Sequence, residues 1–319
     1  MIRTSAGRRI RGVLFAGSAA ALLAVLSACS GGPNGASTGA ANDYGLIGGG
    51  DTVQVATTPS MPNTNLENGK FTGFEADMLT EALNRLGLKM TVTTSDFPGM
   101  LASVQAGRAD IALGNIAWRD TRAANGLLTD PPFYVPQVAV EKAGADIDSV
   151  EGLAGHSVGT INGFIFVDLL QKMEGVDLHT YADAASALAD VQAGRIDVAL
   201  LDPLSAVYTV STRPDLGLTA VTIKTPSQAV LAEHPDYDIF GPVMAAWYLP
   251  TDHTELEAAL NEQIRAMYAD GTTAKLMEKY GVTDPASLLT VSADWAKLFE
   301  QQRAAVDRPA DWTVPQASQ

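Results

Sequence analysis

The decapeptide Val104-Gln-Ala-Gly-Arg-Ala-Asp-Ile-Ala-Leu113 recurs as Val191-Gln-Ala-Gly-Arg-Ile-Asp-Val-Ala-Leu200, differing only at Ala109/Ile196 and Ile111/Val198. Each copy has the same grammar. Apolar residues at helical spacing (Met100, Leu101 and Val104 in one, Leu188 and Val191 in the other) lead to Gly107 or Gly194. Glycine suits the left-handed residue past a helix end, and a buried apolar strand follows. So close a match argues against a chance repeat of a common helix-stop-strand unit. Two copies are too few for a solenoid, so the pattern predicts two similar α/β lobes. In open α/β sheets ligands collect beyond the carboxyl ends of the strands, where loops and helix N-termini offer free N–H groups. A binding site is therefore expected at Gly114–Arg122 and Leu201–Ser205.

Working outward, the chain alternates strand and helix signals. Val53 to Thr57 reads as a short strand, and Asn68-Gly69 as a turn. Thr72 and Glu75 have capping-box spacing before a helix whose Phe74, Met78, Leu79, Ala82, Leu83 and Leu86 share one face, with Gly87 ending it. Leu256, Leu260, Ile264 and Met267 mark another amphipathic helix, broken at Asp270-Gly271. These stripes read as core. Beyond Gly281, Leu288, Leu289, Trp295, Leu298 and Phe299 predict a helix against the first lobe, with a loose polar tail after Arg303.

The N-terminus carries Arg3, Arg8, Arg9 and Arg11, an apolar run from Val13 to Leu26, then Ser27-Ala28-Cys29. That is the layout of a cleaved export signal; the run is short and alanine-rich for a membrane span. Leu26-Ser-Ala-Cys29 resembles a bacterial lipoprotein box, which implies lipidation of Cys29, the chain's single cysteine. One cysteine excludes an internal disulfide and a cysteine metal or redox cluster. Residues 30–42 are nearly all Gly, Ser, Ala, Thr, Asn and Pro, the composition of a flexible tether. The net charge of the whole chain is −15, and removing a leader with four arginines makes the remainder more acidic still. Nucleic acid is an unsuitable partner for such a surface.

Taken together, the quoted segments resemble the polar amino-acid-type periplasmic binding proteins, the type II clamps known as extracellular solute-binding proteins family 3. The carriers are Asn68-Gly-Lys-Phe-Thr-Gly-Phe-Glu-Ala-Asp77, Ala106-Gly-Arg-Ala-Asp110, Arg122 followed by Thr129-Asp-Pro-Pro-Phe-Tyr134, and Leu153-Ala-Gly-His-Ser-Val-Gly159. To these add Ala193-Gly-Arg-Ile-Asp-Val-Ala-Leu-Leu-Asp202 and Asp270-Gly-Thr-Thr-Ala-Lys-Leu-Met-Glu-Lys-Tyr-Gly281. Their order and spacing from about Val53 to Gly281 carry the resemblance; no single piece does. It implies an α/β fold of two lobes, each a mixed sheet flanked by helices, joined by two crossover strands near Tyr134–Val140 and Tyr237–Val243. The expected organisation is a leader 1–28, a tether 29–49, lobe one over 50–136, lobe two over 137–240, and a return to lobe one over 241–319 with a C-terminal extension. The implied function is that of a substrate-binding lipoprotein of an ABC importer, a monomer held to the membrane by lipid and docking on permease subunits, with no cofactor and no metal.

The resemblance also assigns residues. Arg122 stands where the family places an arginine that forks onto the ligand carboxylate, a task its planar donors suit. A surface ion pair with Asp120 or Asp130 is the plain alternative. Asp202 stands where a carboxylate takes the ligand ammonium, and it also reads as the N-cap before Pro203. Phe97 matches an aromatic that packs on the ligand side chain, and Met61 stands where another often completes the sandwich. Asn115 and the loop at Asn162-Gly163 fall where backbone N–H groups meet the carboxylate. The departures are Thr58, where an acid is sometimes used, Ala117 in place of a hydroxyl residue, Arg119 in place of a threonine, and Phe164 and Ile165 in place of hydroxyl residues. With Trp118, Phe164 and Phe166 adding apolar and π surface, these departures suggest a bulkier, more apolar or cationic ligand.

Two other functional classes share this grammar. A catalytic, dehydratase-like member of the same fold needs a poised acid or base, yet the four histidines are scattered and Glu75 reads as part of a cap. A ligand-presenting subunit of a surface sensor would have the same cleft and a different docking partner. The reading adopted is transport without catalysis.

Overall fold

The computed structural model describes residues 44–306 and 313–317. The leader, Cys29 and the tether up to residue 43 lie outside the described residues. Of the remaining tether residues, expected to be loose up to 49, Leu46 and Ile47 engage the body while Gly45, Gly48 and Gly49 are exposed. Leu46 is buried in the first core, and the Ile47 N–H donates to Asp110 at 2.8 Å. Tyr44, Leu46 and Ile47 interrupt the polar composition and supply apolar surface to bury.

Two sheets share one strand order. In the first, Thr52–Thr57 lies parallel between Lys89–Thr94 and Ile111–Ala117. Val243–Leu249 then runs antiparallel to Ile111–Ala117, with Leu127–Leu128 beyond it. In the second, Ser157–Ile161 lies parallel between Asp177–Tyr181 and Val198–Leu200. Val138–Lys142 runs antiparallel to Val198–Leu200 and carries Leu218–Thr222 on its other edge. The repeated decapeptide therefore supplies the third parallel strand of each sheet, next to the antiparallel one. The chain leaves the first sheet at Tyr134–Val135, which pairs with Val243 and Met244 of the returning strand. The two passages between lobes thus run side by side.

Each sheet is covered on both faces, as central strands of this kind require. One face of the first sheet packs Val53, Val55, Ile111 and Leu113 against Phe74, Leu79, Leu83, Leu256 and Ile264. The other packs Ala112 and Ile116 against Met100, Val104, Trp295 and Phe299. The second sheet has the same two-sided arrangement, with Val158, Val198 and Leu200 on one face and Val140, Ala199 and Leu188 on the other.

Local signals explain most helix ends. Asp96 caps Phe97–Gln105 by accepting the Gly99 N–H at 2.8 Å, and Asp183 caps Ala184–Ala193 through the Ser186 N–H at 2.8 Å. Gly107 and Gly194 are left-handed at φ 63° and 70°, the conformation the repeat pattern anticipates. The expected Thr72–Glu75 capping box is absent. The helix Phe74–Arg85 starts after Gly73, and its first N–H groups are taken by the carbonyls of Pro62 and Asn63. With those donors satisfied by a neighbouring loop, Glu75 turns inward.

The C-terminal helix Ala293–Ala304 docks on the first sheet, with Phe299 stacked on Tyr134 at 5.9 Å between centroids. Arg303 reaches the buried Asp130, which also accepts Arg265 Nε at 3.0 Å. The tail expected to be loose returns to the body. Val314 is buried, and the Ala317 N–H donates to the Val291 carbonyl at 2.8 Å. No described helix is long and apolar enough to cross a membrane.

Candidate functional site

The carboxyl ends of the two repeated strands face one another and leave a small cavity between the lobes. Gly114, Asn115, Ala117 and Arg122 line it from the first lobe, and Leu201, Asp202 and Pro203 from the second. Phe97, Phe164, Ile165 and Phe166 add apolar wall, and Gln137 and Val243 close the side formed by the crossing segments.

Arg122 supplies the cationic end. It sits in the single helical turn Asp120–Ala123 that follows the first repeated strand, and folds back so that Nη1 donates to the Ala117 carbonyl at 2.7 Å. Nη2 donates across the lobes to the Gly163 carbonyl at 3.3 Å, and the guanidinium lies over the Phe97 ring, 5.4 Å from its centroid. Among the described residues no carboxylate lies within ion-pair distance of it. The alternative partners are otherwise disposed: Asp130 is engaged by Arg265 and Arg303, and Asp120 accepts the Thr121 N–H. Burial, and then the neighbouring charge of Arg119, pull the Arg122 guanidinium down to about 10. It remains protonated at neutral pH, with donors to spare.

Asp202 supplies the anionic end and is also a helix cap, so both readings of this residue coexist. Its Oδ1 accepts the Ser205 N–H at 2.8 Å at the start of Pro203–Thr212. Across the lobes, Asn63 Nδ2 donates to Oδ1 at 2.8 Å and Asn115 Nδ2 to Oδ2 at 2.5 Å. Burial raises its pKa, opposed by the bonds from Asn115, Ser205 and Asn63. Ser60 and Ser205 hydroxyls also meet across the lobes, at 2.5 Å. The structure is thus a closed clamp, with the lobes joined at several points around the cavity.

Behind Asn115 stands Glu75, fully buried. Its Oε2 accepts the Asn115 N–H at 2.8 Å, while Oε1 has no hydrogen-bond partner among the described groups. Desolvation first, with the charge of Asp202 adding, pushes its pKa up to about 8 against the pull of its bonds to the Asn115 and Gly114 backbone. A carboxyl of this kind is protonated at neutral pH. Asn115 is held in the left-handed region at φ 50°, so that its backbone addresses one carboxyl group and its side chain another.

Eight of the residues singled out in the sequence meet in this cavity: Arg122, Asp202, Phe97, Asn115, Ala117, Phe164, Ile165 and Phe166. Thr58 does not reach it. It lines an adjoining, wider space that shares Phe97, Phe164, Leu201 and Asp202 and is also bordered by Ser60, Asp96, Asp183 and Ser205. Phe97 and Phe164 meet edge to face at 4.9 Å on the border between the two spaces. Gly163 is not in the cavity lining; it lies against Phe97 and Pro98, with its carbonyl accepting Arg122 Nη2, and borders a separate outer space. Met61 is outside the cavity lining. Trp118, expected near the ligand, is 3% exposed and packed in the core. Alternation along the strand puts it on the face opposite Ala117. Among the described residues there is no group of three or more His, Cys, Asp or Glu able to hold a metal ion.

Gln137, Asn63 and Glu75 are the contributors that sequence reasoning missed. Gln137 is a lone polar residue in a crossing segment, buried, with Nε2 on the Ile239 carbonyl at 2.8 Å. Asn63 lies in a loop with no periodic signal. Glu75 was legible only as a cap. A polar residue between two apolar crossing segments is the one signal that would have marked Gln137.

Comparison with known proteins agrees with this architecture. A family model described as bacterial extracellular solute-binding proteins, family 3, matches residues 53–283. The probable amino-acid-binding protein YxeM of Bacillus subtilis (strain 168) is 31% identical over 265 residues, covering 82% of this chain and 92% of that one. The lysine/arginine/ornithine-binding periplasmic protein of Escherichia coli (strain K12) is 27% identical, covering 76% and 91%. Among solved structures, an ancestral arginine-binding protein bound to arginine aligns with a TM-score of 0.63 at 25% identity, over 72% of this chain and 98% of that one. The two-lobed type II fold, the duplicated strand order and the match across most of the chain lead to one statement: this chain belongs to the bacterial extracellular solute-binding proteins, family 3.

Proposed function

We propose that the protein captures an amino acid between its lobes and delivers it to the permease subunits of an ABC importer. The observation that carries this reading is a protonated Arg122 without a carboxylate partner, lining the same cavity as Asp202. A cation and an anion at fixed positions in one partly desolvated space complement a zwitterion. The ligand carboxylate takes the free donors of Arg122, and its ammonium joins Asp202. Because such a ligand touches both lobes only when they meet, it favours the closed arrangement. Lobe one, as residues 50–136 with 241–319, and lobe two, as 137–240, move against each other about the paired crossing segments.

The side chain favoured is bulky, and apolar or cationic. Phe97, Phe164, Leu201 and Val243 offer it apolar wall, and a long side chain passes the Phe97–Phe164 border into the adjoining space. No chemistry is performed on it. Glu75, the fully buried acid behind Asn115, accepts the Asn115 N–H and does not line the cavity. The protein acts as a monomer outside the cytoplasm, held to the membrane by a lipid on Cys29; this anchor rests on the Leu-Ser-Ala-Cys29 pattern alone.

A thermal-shift and calorimetric panel of apolar, aromatic, basic and small polar amino acids, with betaines and simple amines, tests the reading. A ligand at a hundredfold excess over its Kd stabilises by about 2.7 kcal/mol. Bulky or basic amino acids are expected to give a saturable shift that falls to about half or less in Arg122→Ala at the same ligand concentration. Binding of small polar amino acids alone would sink the side-chain assignment. A flat response to every amino acid would sink the proposal as a whole.

A further inference from the structure

The chain continues beyond the family match, and its helix Ala293–Ala304 reaches back to the crossing segments. Asp238 lies in the turn Pro235–Phe240, whose Ile239 and Phe240 belong to the second lobe's core. Its carboxylate accepts both terminal nitrogens of Arg119, Nη1 at 2.9 Å and Nη2 at 3.0 Å. The same carboxylate accepts Gln302 Nε2 at 2.7 Å. Arg119 follows the first lobe's third parallel strand, and Gln302 stands on the extension, which packs on the first lobe. Shortly after Asp238, the Trp295 ring lies flat against the chain at Gly241, where a Cβ would fall 2.0 Å from a ring atom.

These contacts stand one layer behind the cavity. A crevice lined by Arg119, Asp238, Phe299 and Gln302 shares Ala117, Gln137, Ile165 and Val243 with the cavity. The two charged side chains are 25% and 12% exposed, so the bidentate pair is largely withdrawn from bulk water, where its geometry matters most. Arg119 is one of the departures noted in the sequence, and the extension is another. The two meet on one carboxylate.

We propose that Arg119, Asp238 and Gln302 form a strut that the C-terminal extension adds to the hinge, restricting the angle through which the lobes open. Rotation of lobe two about the crossing segments displaces Asp238 relative to partners that both belong to lobe one. The fork geometry of the arginine and the fixed position of Gln302 resist that displacement. The three side chains are positioning residues: they set the relation of the lobes and touch no ligand.

The test uses the full chain carrying Cys29→Ser, with spin labels at Asn84→Cys on lobe one and Ala189→Cys on lobe two, both exposed helical positions. Interlobe distances are measured by electron-electron resonance without ligand, so the outcome is independent of the amino-acid reading. Asp238→Asn is expected to broaden the distribution and shift it to longer distances, and Gln302→Ala to do so to a lesser extent. Arg119→Asp combined with Asp238→Arg is expected to recover part of the parent's narrowness. Distributions in both single variants that superimpose on the parent overturn the strut, and a fall in melting temperature with no change in distance assigns the contacts to folding alone.

Discussion

The two copies of the repeated decapeptide are nearly the same in sequence, and their exits are opposite in character. The first runs into Ile111–Ala117, a strand of seven residues buried throughout, and bends at Gly114-Asn115 before the turn that presents Arg122. The second runs into Val198–Leu200, a strand of three, and stops at once in a helix whose cap is Asp202. One copy thus delivers a cation on a side chain folded back over its own strand. The other delivers an anion rigidly fixed at a helix start. The shared segment builds the lobes, and the few residues after it build the site.

That difference is open to direct attack. The largest effect is expected from Asp202→Ala, which removes the ammonium partner and the cap together. Ligand affinity should fall about 100-fold or more, consistent with 1.5–3 kcal/mol for a bond to a charged group and further loss from the unpaired amides. Stability should fall by about 2 kcal/mol, since a lost cap costs ~1 kcal/mol and the Asn63 and Asn115 donors lose their acceptor. Calorimetry and chemical denaturation read the two separately. Arg122→Ala should separate them, with affinity falling about 10- to 100-fold and stability changing by less than about 1 kcal/mol. There the lost Ala117 bond is offset by removal of a desolvated, unpaired cation. Equal losses of stability in the two variants would contradict the contrast between rigid cap and folded-back cation.

Glu75 sharpens the comparison through pH. Its folded pKa, about 8, lies above its ordinary value of 4.5, so the folded protein holds a proton that the unfolded chain releases. Its contribution is therefore fully favourable below about 4.5, is lost as pH rises towards 8, and is level beyond that. Glu75→Gln should flatten that part of the stability profile, to which this one group contributes a slope of at most about 1.4 kcal/mol per pH unit. A melting profile between pH 5 and pH 8 that is the same in parent and variant would show that Glu75 does not retain the proton.

The smallest effect tests the sameness of the copies. Gly107→Ala and Gly194→Ala place a Cβ on residues of left-handed backbone, at φ 63° and 70°. The first meets no atom within 4 Å, and the second meets only the flexible end of Lys142. Each should cost about 1 kcal/mol, and nearly the same amount, because the cost is conformational. Markedly unequal losses would show that the two helix stops are not equivalent.

How much was legible follows from what kind of interaction each residue makes. Helix stops at Gly107 and Gly194, the cap at Asp202, and the apolar strands depend on a few neighbouring positions, which the sequence displays. The segments Gly114–Arg122 and Leu201–Ser205 could be marked because they follow the repeated strands, where this class of sheet places ligands, and the family resemblance was what assigned Arg122 and Asp202 within them. Trp118 was assigned to the wrong side because being adjacent in sequence to a cavity residue says nothing of which face of the strand a side chain takes. Glu75 was misread because its partner, the Asn115 backbone, is remote in sequence, and because the helix start it seemed to cap is satisfied by a different loop.

The sequence by itself determined the duplicated helix–strand units, their ends, and the charges that follow them, since all of these rest on local spacing and backbone preference. Only the tertiary structure decided that Asn63 and Asn115 reach across to Asp202, that Glu75 is neutralised by burial, and that Gln302 and Arg119 share Asp238. Those relations join residues distant along the chain. Their energies come from desolvation and geometry that exist only once the lobes are packed and closed.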